Sequence, residues 1–164
     1  MTDSSLDDPD ARLLARMRLH LVPGVGPIIQ QRLLSSFGSA ENVFEAPAAV
    51  LREIDGIGLK LAQAILEAKS SDEAQREISR CRDGGVRILC PEDPGYPQKL
   101  LMIPDPPQVL FAKGELLPRD ELALAIVGSR RCTVYGQQQA EKLARELALA
   151  GVTIVSGLDR RAHV

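Results

Sequence analysis

The chain has 164 residues, a net charge of −2 and a composition that is 45% hydrophobic and 26% charged, which is typical of one ordinary or two small globular domains. The slightly acidic balance gives no overall attraction to nucleic acid, so any such contact must come from a local basic patch. No apolar stretch approaches the roughly 18 residues of a membrane helix, and the acidic N-terminus is unlike a signal peptide. We therefore expect a cytoplasmic protein with no membrane partner.

The three cysteines, Cys81, Cys90 and Cys132, show neither CxxC spacing nor Cys/His ligand spacing. An odd number without such spacing argues against both a structural metal and a disulfide framework. We expect buried, reduced thiols, no metal and no cofactor.

A helical domain is predicted over residues 9–80, behind a disordered tail over residues 1–8. Asp8 and Pro9 resemble an N-cap and a first helical residue. A turn sequence then occurs twice, because Val22–Gly26 (VPGVG) is echoed 32 positions later by Ile54–Gly58 (IDGIG). Each copy leads into a predicted helix, over residues 28–37 and 59–69.

This repeat resembles a tandem helix-hairpin-helix motif. Its glycines allow a tight turn that exposes N–H groups, and the intervening Val or Ile fills the core. In that motif class the hairpin holds a DNA phosphate without reading sequence. The candidate contacts are Gly24, Gly26, Gly56, Gly58 and Lys60. The alternative is a compact bundle that contacts only other proteins, since this half of the chain is net acidic.

Short helices are predicted to begin at Ser39 and Pro47 between the two hairpins. Ser70 and Glu73 are spaced as a capping box, which predicts a further helix that ends at Gly84-Gly85. We place the boundary between the two halves near residues 70–85.

An incomplete α/β domain is predicted over residues 81–164. Strands are expected at residues 86–90, 109–112, 122–127 and 152–155, with a proline-rich loop between the first two and a helix from about Thr133. The run 122–127 suits a strand buried on both faces of a parallel sheet. The fold class is therefore α+β, with an all-α helix-hairpin-helix-like domain followed by an incomplete Rossmann-like parallel sheet.

The turn Gly128-Ser129-Arg130-Arg131 lies between the strand at 122–127 and the following helix. A strand, a glycine turn and a helix direct backbone N–H groups at an anion, and arginine grips phosphate through paired hydrogen bonds. Ser156-Gly157 should lie at the same edge, because carboxyl ends of parallel strands meet there. The candidate phosphate-binding residues are Gly128, Ser129, Arg130, Arg131, Ser156 and Gly157. The alternative is an ordinary structural turn with solvated arginines.

The second half also resembles the DNA-processing protein A family (DprA, or Smf). The matching segments are Tyr96-Pro97, Asp105-Pro106-Pro107, Lys113-Gly114, Ile126–Arg130 and Val155–Leu158. The resemblance implies a Rossmann-like domain that binds and protects single-stranded DNA, loads the RecA recombinase in natural transformation and is not an enzyme. It also implies that Arg130 holds a DNA phosphate in a turn shaped by Gly128 and Ser129.

The resemblance covers only the first half of that domain. After Ser156-Gly157-Leu158 the chain reads Asp159-Arg160-Arg161-Ala162-His163-Val164 and departs from the family pattern. We expect a truncated, weakened family member, for which loading of RecA and formation of a homodimer do not follow directly.

Two other functions stay open. A Rossmann-like enzyme acting on nucleotide phosphates needs a carboxylate beside the turns, and Asp159 is the one candidate. The helical half alone is also compatible with a protein-interaction module that carries a vestigial α/β half.

Overall fold

The computed structural model describes residues 9–129 and 131–157. The chain divides at Gly114 into two compact units, which we call the helical unit and, from Glu115, the strand–helix–strand unit. The predicted residues Asp8, Arg130 and Asp159 lie outside the described residues.

The helical unit contains six helices and two short strands within its described part. The helices are α1 (Pro9–Leu21), α2 (Pro27–Phe37), α3 (Ala40–Glu45), α4 (Ala48–Leu51), α5 (Leu59–Ala68) and α6 (Glu73–Asp83). The strands are β1 (Val86–Leu89) and β2 (Leu110–Lys113), with a 3-10 turn at Gln98–Met102 between them. The predicted helices and strands are thus present, with bounds shifted by a residue or two.

Local sequence explains where several helices begin. Ser39 caps α3, because its hydroxyl accepts a hydrogen bond from the Asn42 N–H at 3.2 Å. The predicted capping box at Ser70 and Glu73 is wrong. Helix α6 follows Asp72, and the Glu73 N–H donates instead to the hydroxyl of Ser71 at 3.2 Å.

The main core of the helical unit is formed by buried aliphatic side chains of α1 to α5. Its fully buried members include Leu19, Leu33, Val43, Leu51 and Ile65. A smaller cluster joins α1 to α6 and to the start of β2 through Met17, Ala74, Ile78 and Val109. This second cluster explains why α6 and both strands belong to the same compact unit as the helices.

The loop between β1 and β2 is held together across its length by a buried tyrosine. Tyr96 is 2% exposed, and its hydroxyl donates a hydrogen bond to the Pro107 carbonyl oxygen at 2.8 Å. Burial also raises the pKa of Tyr96 above its ordinary value, so the phenol stays a donor at neutral pH.

The predicted domain division after residue 80 stays a prediction, because compactness alone does not define where a domain begins.

Two separate pairs of strands are present in the described residues. β1 and β2 are antiparallel, with Val86 opposite Lys113 and Leu89 opposite Leu110. The strand–helix–strand unit comprises a 3-10 turn (Pro118–Glu121), β3 (Ala123–Ile126), α7 (Val134–Leu149) and β4 (Thr153–Ser156), and its strands are parallel. The structure is therefore an α+β chain in which a helix-hairpin-helix region precedes small sheets, one of them parallel.

The expectation that β3 is buried on both faces is wrong. Its residues are exposed except for the half-buried Ile126, and Leu124 is 41% exposed. None of the described residues 115–157 is buried. One helix and two strands provide too few neighbours to enclose an apolar strand.

Candidate functional site

The parallel strands bring the two predicted turns to one edge of the sheet. Ala123 pairs with Thr153 and Ile126 pairs with Ser156, so both strands end at the same level. Gly128-Ser129 and Gly157 therefore follow neighbouring strand ends, as expected for a β–α–β unit. Arg131 also lies in this loop, whereas Arg130 is outside the described residues.

Hydrogen bonds to the backbone order the loop that precedes α7. The hydroxyl of Ser129 accepts from the Arg131 N–H at 3.2 Å, and the hydroxyl of Thr133 accepts from the Gly136 N–H at 3.1 Å. Thr133 is thus the N-cap of α7, and the helix predicted from about Thr133 is present. Because Arg131 is exposed and has no ion pair among the described residues, its guanidinium is accessible to an anion.

The glycines of this edge have no steric requirement among the described residues. Neither Gly128 nor Gly157 has a positive φ, and a Cβ built at either position meets nothing within 4 Å in the described part of the chain. Gly128 is therefore not needed for a left-handed backbone conformation. The absence of a side chain leaves open space beside the main chain instead.

The carboxylate of Asp120 lies at the opposite end of the strands. Its oxygens accept from the Leu117 N–H at 2.7 Å and from the Thr153 hydroxyl at 2.9 Å. These hydrogen bonds, first the one from Leu117, hold the pKa of Asp120 below its usual range. Since Thr153 begins β4, this acid is not at the edge that carries the turns. Asp159, the predicted catalytic candidate, lies outside the described residues.

The two helical hairpins have the same turn geometry. The third residue of each turn sequence is a glycine with positive φ, 93° at Gly24 and 91° at Gly56. The Val25 N–H donates to the Val22 carbonyl and the Ile57 N–H to the Ile54 carbonyl, both at 3.0 Å. Val25 and Ile57 are buried, so the prediction that they fill the core is confirmed.

The hairpins pack against each other's helices in a reciprocal way. The Cβ position of Gly24 would lie 3.4 Å from Leu61 Cδ1, and that of Gly56 would lie 2.6 Å from Ile29 Cδ1. Ile29 and Leu61 each stand five residues after the glycine of their own hairpin. The sequence repeat is therefore a pseudo-twofold pair in which each glycine admits a side chain of the other copy.

Both helices that follow the hairpins begin without a side-chain cap. Gly26 and Gly58 are the N-cap residues of α2 and α5, and both have extended backbone. The first N–H groups of a helix have no partner within it, and no other acceptor binds those of Leu59 and Lys60 in the described part of the chain. The N-terminus of α5 thus exposes donors beside the exposed Lys60.

The cation Arg32 has a role that spacing along the chain did not indicate. It lies on α2, yet its Nη1 donates to the carbonyl oxygen of Asp55 at 2.7 Å and to Asp55 Oδ2 at 2.7 Å. Asp55 is the second residue of the second hairpin. Contacts of this kind between repeats depend on how the two copies pack.

The thiols agree only in part with the expectation. Cys81 and Cys90 are buried and free, whereas Cys132 is free but exposed. Burial raises the pKa of Cys90 to about 11, so this thiol is protonated at neutral pH.

Among the described residues no group of three His, Cys, Asp or Glu side chains has the arrangement of a metal site. Within that same part of the chain, no helix has both the length and the apolar character needed to cross a membrane.

Comparison with known proteins finds a matching family for each part of the chain. Residues 87–163 match the profile of the family described as DNA recombination-mediator protein A, and residues 17–68 match that of the SAM-like helix-hairpin-helix tandem. Protein Smf of Synechocystis is 34% identical over 150 residues, covering 87% of this chain and 38% of that protein.

Two further relatives are similar over shorter stretches. The DNA processing protein DprA of Bacillus subtilis is 30% identical over 136 residues, covering 82% of this chain and 46% of that protein. Protein Smf of Escherichia coli is 35% identical over 114 residues, covering 68% of this chain and 30% of that protein. The chain thus spans less than half the length of each of these relatives.

Proposed function

The chain belongs to the DNA recombination-mediator protein A family, and from this membership we propose that it is a recombination accessory protein that binds single-stranded DNA. The match of residues 87–163 to the family is the observation that carries the proposal, because it includes both turns at the strand ends. The chain spans only 38% of the Synechocystis relative. DNA binding is therefore proposed for this chain itself and is not transferred from the whole relative.

At the sheet edge, the proposed ligand group is a DNA phosphate. Arg130 is proposed as its main cation and Arg131 as a secondary one, with Ser129 and Ser156 as hydroxyl donors. The space at Gly128 and Gly157 supports this role, because among the described residues no side chain lies where a phosphate would approach the main chain. The exposed N-terminal end of α7 adds a favourable dipole.

The helical hairpins are proposed as a second contact with the DNA backbone. Gly24 and Gly26 belong to the first hairpin, and Gly56, Gly58 and Lys60 belong to the second. Uncapped helix N-termini at Gly26 and Gly58 support this assignment, since their free N–H groups suit an anionic oxygen. Contacts of this kind hold a strand without reading its sequence.

The family membership extends the proposal to protection of the bound strand, delivery of the strand to the RecA recombinase and formation of a homodimer. No described residue is assigned to either protein contact. We further propose that the chain is not an enzyme. In the described residues, the carboxylate of Asp120, which accepts a hydrogen bond from Thr153 of β4, lies at the end opposite to the two turns.

The test is the salt dependence of binding to a labelled oligothymidine, measured by fluorescence anisotropy. For a single strand, each phosphate contact contributes about 0.7 to the slope of log K against log salt. Arg130→Ala is expected to weaken binding about fivefold or more and to lower that slope by about 0.7.

Arg145→Ala is the matched control, because it removes an exposed arginine of α7 that lies one to two turns before the end of that helix. It is expected to change affinity by less than about twofold. Equal effects of both variants would contradict the sheet-edge site. Salt-independent binding, or none, would contradict the function and favour a protein-interaction module.

A further inference from the structure

We propose that Arg32 is the cation that serves the second hairpin in binding a DNA phosphate, and that Asp55 restrains this hairpin by neutralising Arg32. The inference rests on the proposed function. It assigns unequal roles to the two hairpins, although both have the same turn geometry. In this inference the carboxylate of Asp55 lowers the affinity for DNA.

The position of the Arg32 guanidinium is the first support. Arg32 reaches out of α2 and places Nη1 at 2.7 Å from the Asp55 carbonyl oxygen and 2.7 Å from Asp55 Oδ2. The same nitrogen lies 3.7 Å from the point where Gly56 would carry a Cβ. The charge of an arginine from the first repeat is thus held directly against the second hairpin.

The two hairpins differ at the positions that matter for an anion. The residue that corresponds to Asp55 in the first hairpin is Pro23, and the residue that corresponds to Arg32 in the second repeat is Ala64. The ion pair therefore exists on one side only. Moreover, α2 begins with Pro27, which lacks an N–H, whereas α5 begins with Leu59, which has one.

The second hairpin therefore has more groups suited to a phosphate. It combines the N–H groups of Leu59 and Lys60 with the ammonium of Lys60 and the guanidinium of Arg32. Arginine carries five N–H donors in a planar fork, and only Nη1 is engaged by Asp55. The remaining donors are available because the Arg32 side chain is 44% exposed.

Asp55 opposes this arrangement through its charge. Its side chain is 89% exposed and lies in the hairpin itself, so it repels an incoming phosphate while it neutralises Arg32. Removal of this charge is expected to strengthen DNA binding and to leave the fold intact, because ion pairs between exposed side chains contribute little to stability. Asparagine keeps an oxygen that can accept the Arg32 hydrogen bond.

The experiment compares Asp55→Asn with Glu45→Gln in the oligothymidine assay at low salt. Glu45 is a matched control, since its Oε1 accepts from Lys69 Nζ at 2.7 Å and both side chains of that pair are exposed. Both substitutions remove one negative charge from an ion pair of the helical unit. Asp55→Asn is expected to raise affinity about threefold or more, and Glu45→Gln by less than about 1.5-fold.

Arg32 is tested by two substitutions of different chemistry. Arg32→Gln is expected to weaken binding about threefold and to abolish the gain from Asp55→Asn in the double variant. Arg32→Lys keeps the charge without the planar fork and is expected to restore part of the affinity. Unfolding temperatures of all variants show whether each remains folded.

The outcomes separate this inference from the proposed function. If the unchanged protein shows no salt-dependent DNA binding, the proposed function and the inference about Arg32 and Asp55 are both overturned. If it binds, but Asp55→Asn and Glu45→Gln raise affinity equally, only total charge matters and the role of Asp55 is overturned. If Arg32→Gln leaves binding unchanged, the role of Arg32 is overturned while the sheet-edge site can still stand.

Discussion

His20 is a single residue whose burial makes the helical unit sensitive to acid. It lies on α1 with its ring centroid 5.8 Å from that of Phe111 on β2. Burial lowers the pKa of His20 below its ordinary value of 6.5, so folding favours the neutral imidazole. The stability that it contributes is present above about pH 6.5 and is lost as the pH falls through the lower pKa of the folded state.

The prediction is that the protein loses more thermal stability between pH 7.5 and pH 5, both about one unit or more from the ordinary value, than its His20→Gln variant. Carboxylates that lose their partners in acid affect both proteins, so the difference between the two profiles isolates His20. Differential scanning calorimetry at a series of pH values measures it. Parallel profiles would contradict the assigned burial of the imidazole.

The two glycines of the second hairpin differ in how strongly the turn requires glycine. Gly56 has a φ of 91°, and a side chain there would meet Ile29. Gly58, two residues later, has extended backbone and open space around its Cα. The same substitution is therefore expected to reduce stability at Gly56 and not at Gly58.

Gly56→Ser is predicted to reduce the free energy of unfolding by about 1 to 2 kcal/mol, because a non-glycine residue is strained at positive φ. Gly58→Ser is predicted to be neutral or to stabilise by a few tenths of a kcal/mol, since serine can cap α5. Urea denaturation of both variants provides the comparison. A similar loss in both would indicate that the second glycine also has a structural requirement.

Elements whose signals are local could be predicted from the sequence. The hairpin repeat and the helix starts predicted at Ser39 and at about Thr133 each depend on a few neighbouring residues, and the structure has helices there. The capping box at Ser70 failed because Asp72, two residues later, became the N-cap of α6. Nearby polar residues compete for the same N–H groups, and spacing alone does not decide among them.

Features that depend on distant parts of the chain could not be predicted. An apolar run such as 122–127 indicates a strand, but its burial depends on what packs against both faces. The Arg32–Asp55 pair likewise results from the packing of two repeats. At the sheet edge, the convergence of Ser156 with the first turn was predictable, because parallel strands share their carboxyl edge. The conformation of Gly128 was not, because a glycine in a sequence does not reveal its φ.

The whole molecule combines two units with very different amounts of buried surface. In the helical unit, side chains such as Leu19, Leu33 and Ile65 are fully buried in a shared core. In the strand–helix–strand unit none of the described residues is buried, and Leu122, Val127 and Leu149 are more than 60% exposed. Since burial of apolar surface is the main stabilising contribution to folding, the second unit is expected to have the lower local stability.

We therefore predict that backbone amides of α7 exchange with deuterium at least about tenfold faster than those of α5, as a difference in local opening free energy of about 1.4 kcal/mol would give. Both helices have ordinary hydrogen-bonded interiors, so secondary structure alone would protect their amides similarly. The helices differ in burial, because α5 contains Ala62 and Ile65 at 0% exposure whereas α7 contains no buried residue. Hydrogen-exchange mass spectrometry of peptides from the two helices measures the ratio. Comparable protection would contradict the lower local stability and would show that the strand–helix–strand unit is covered in solution.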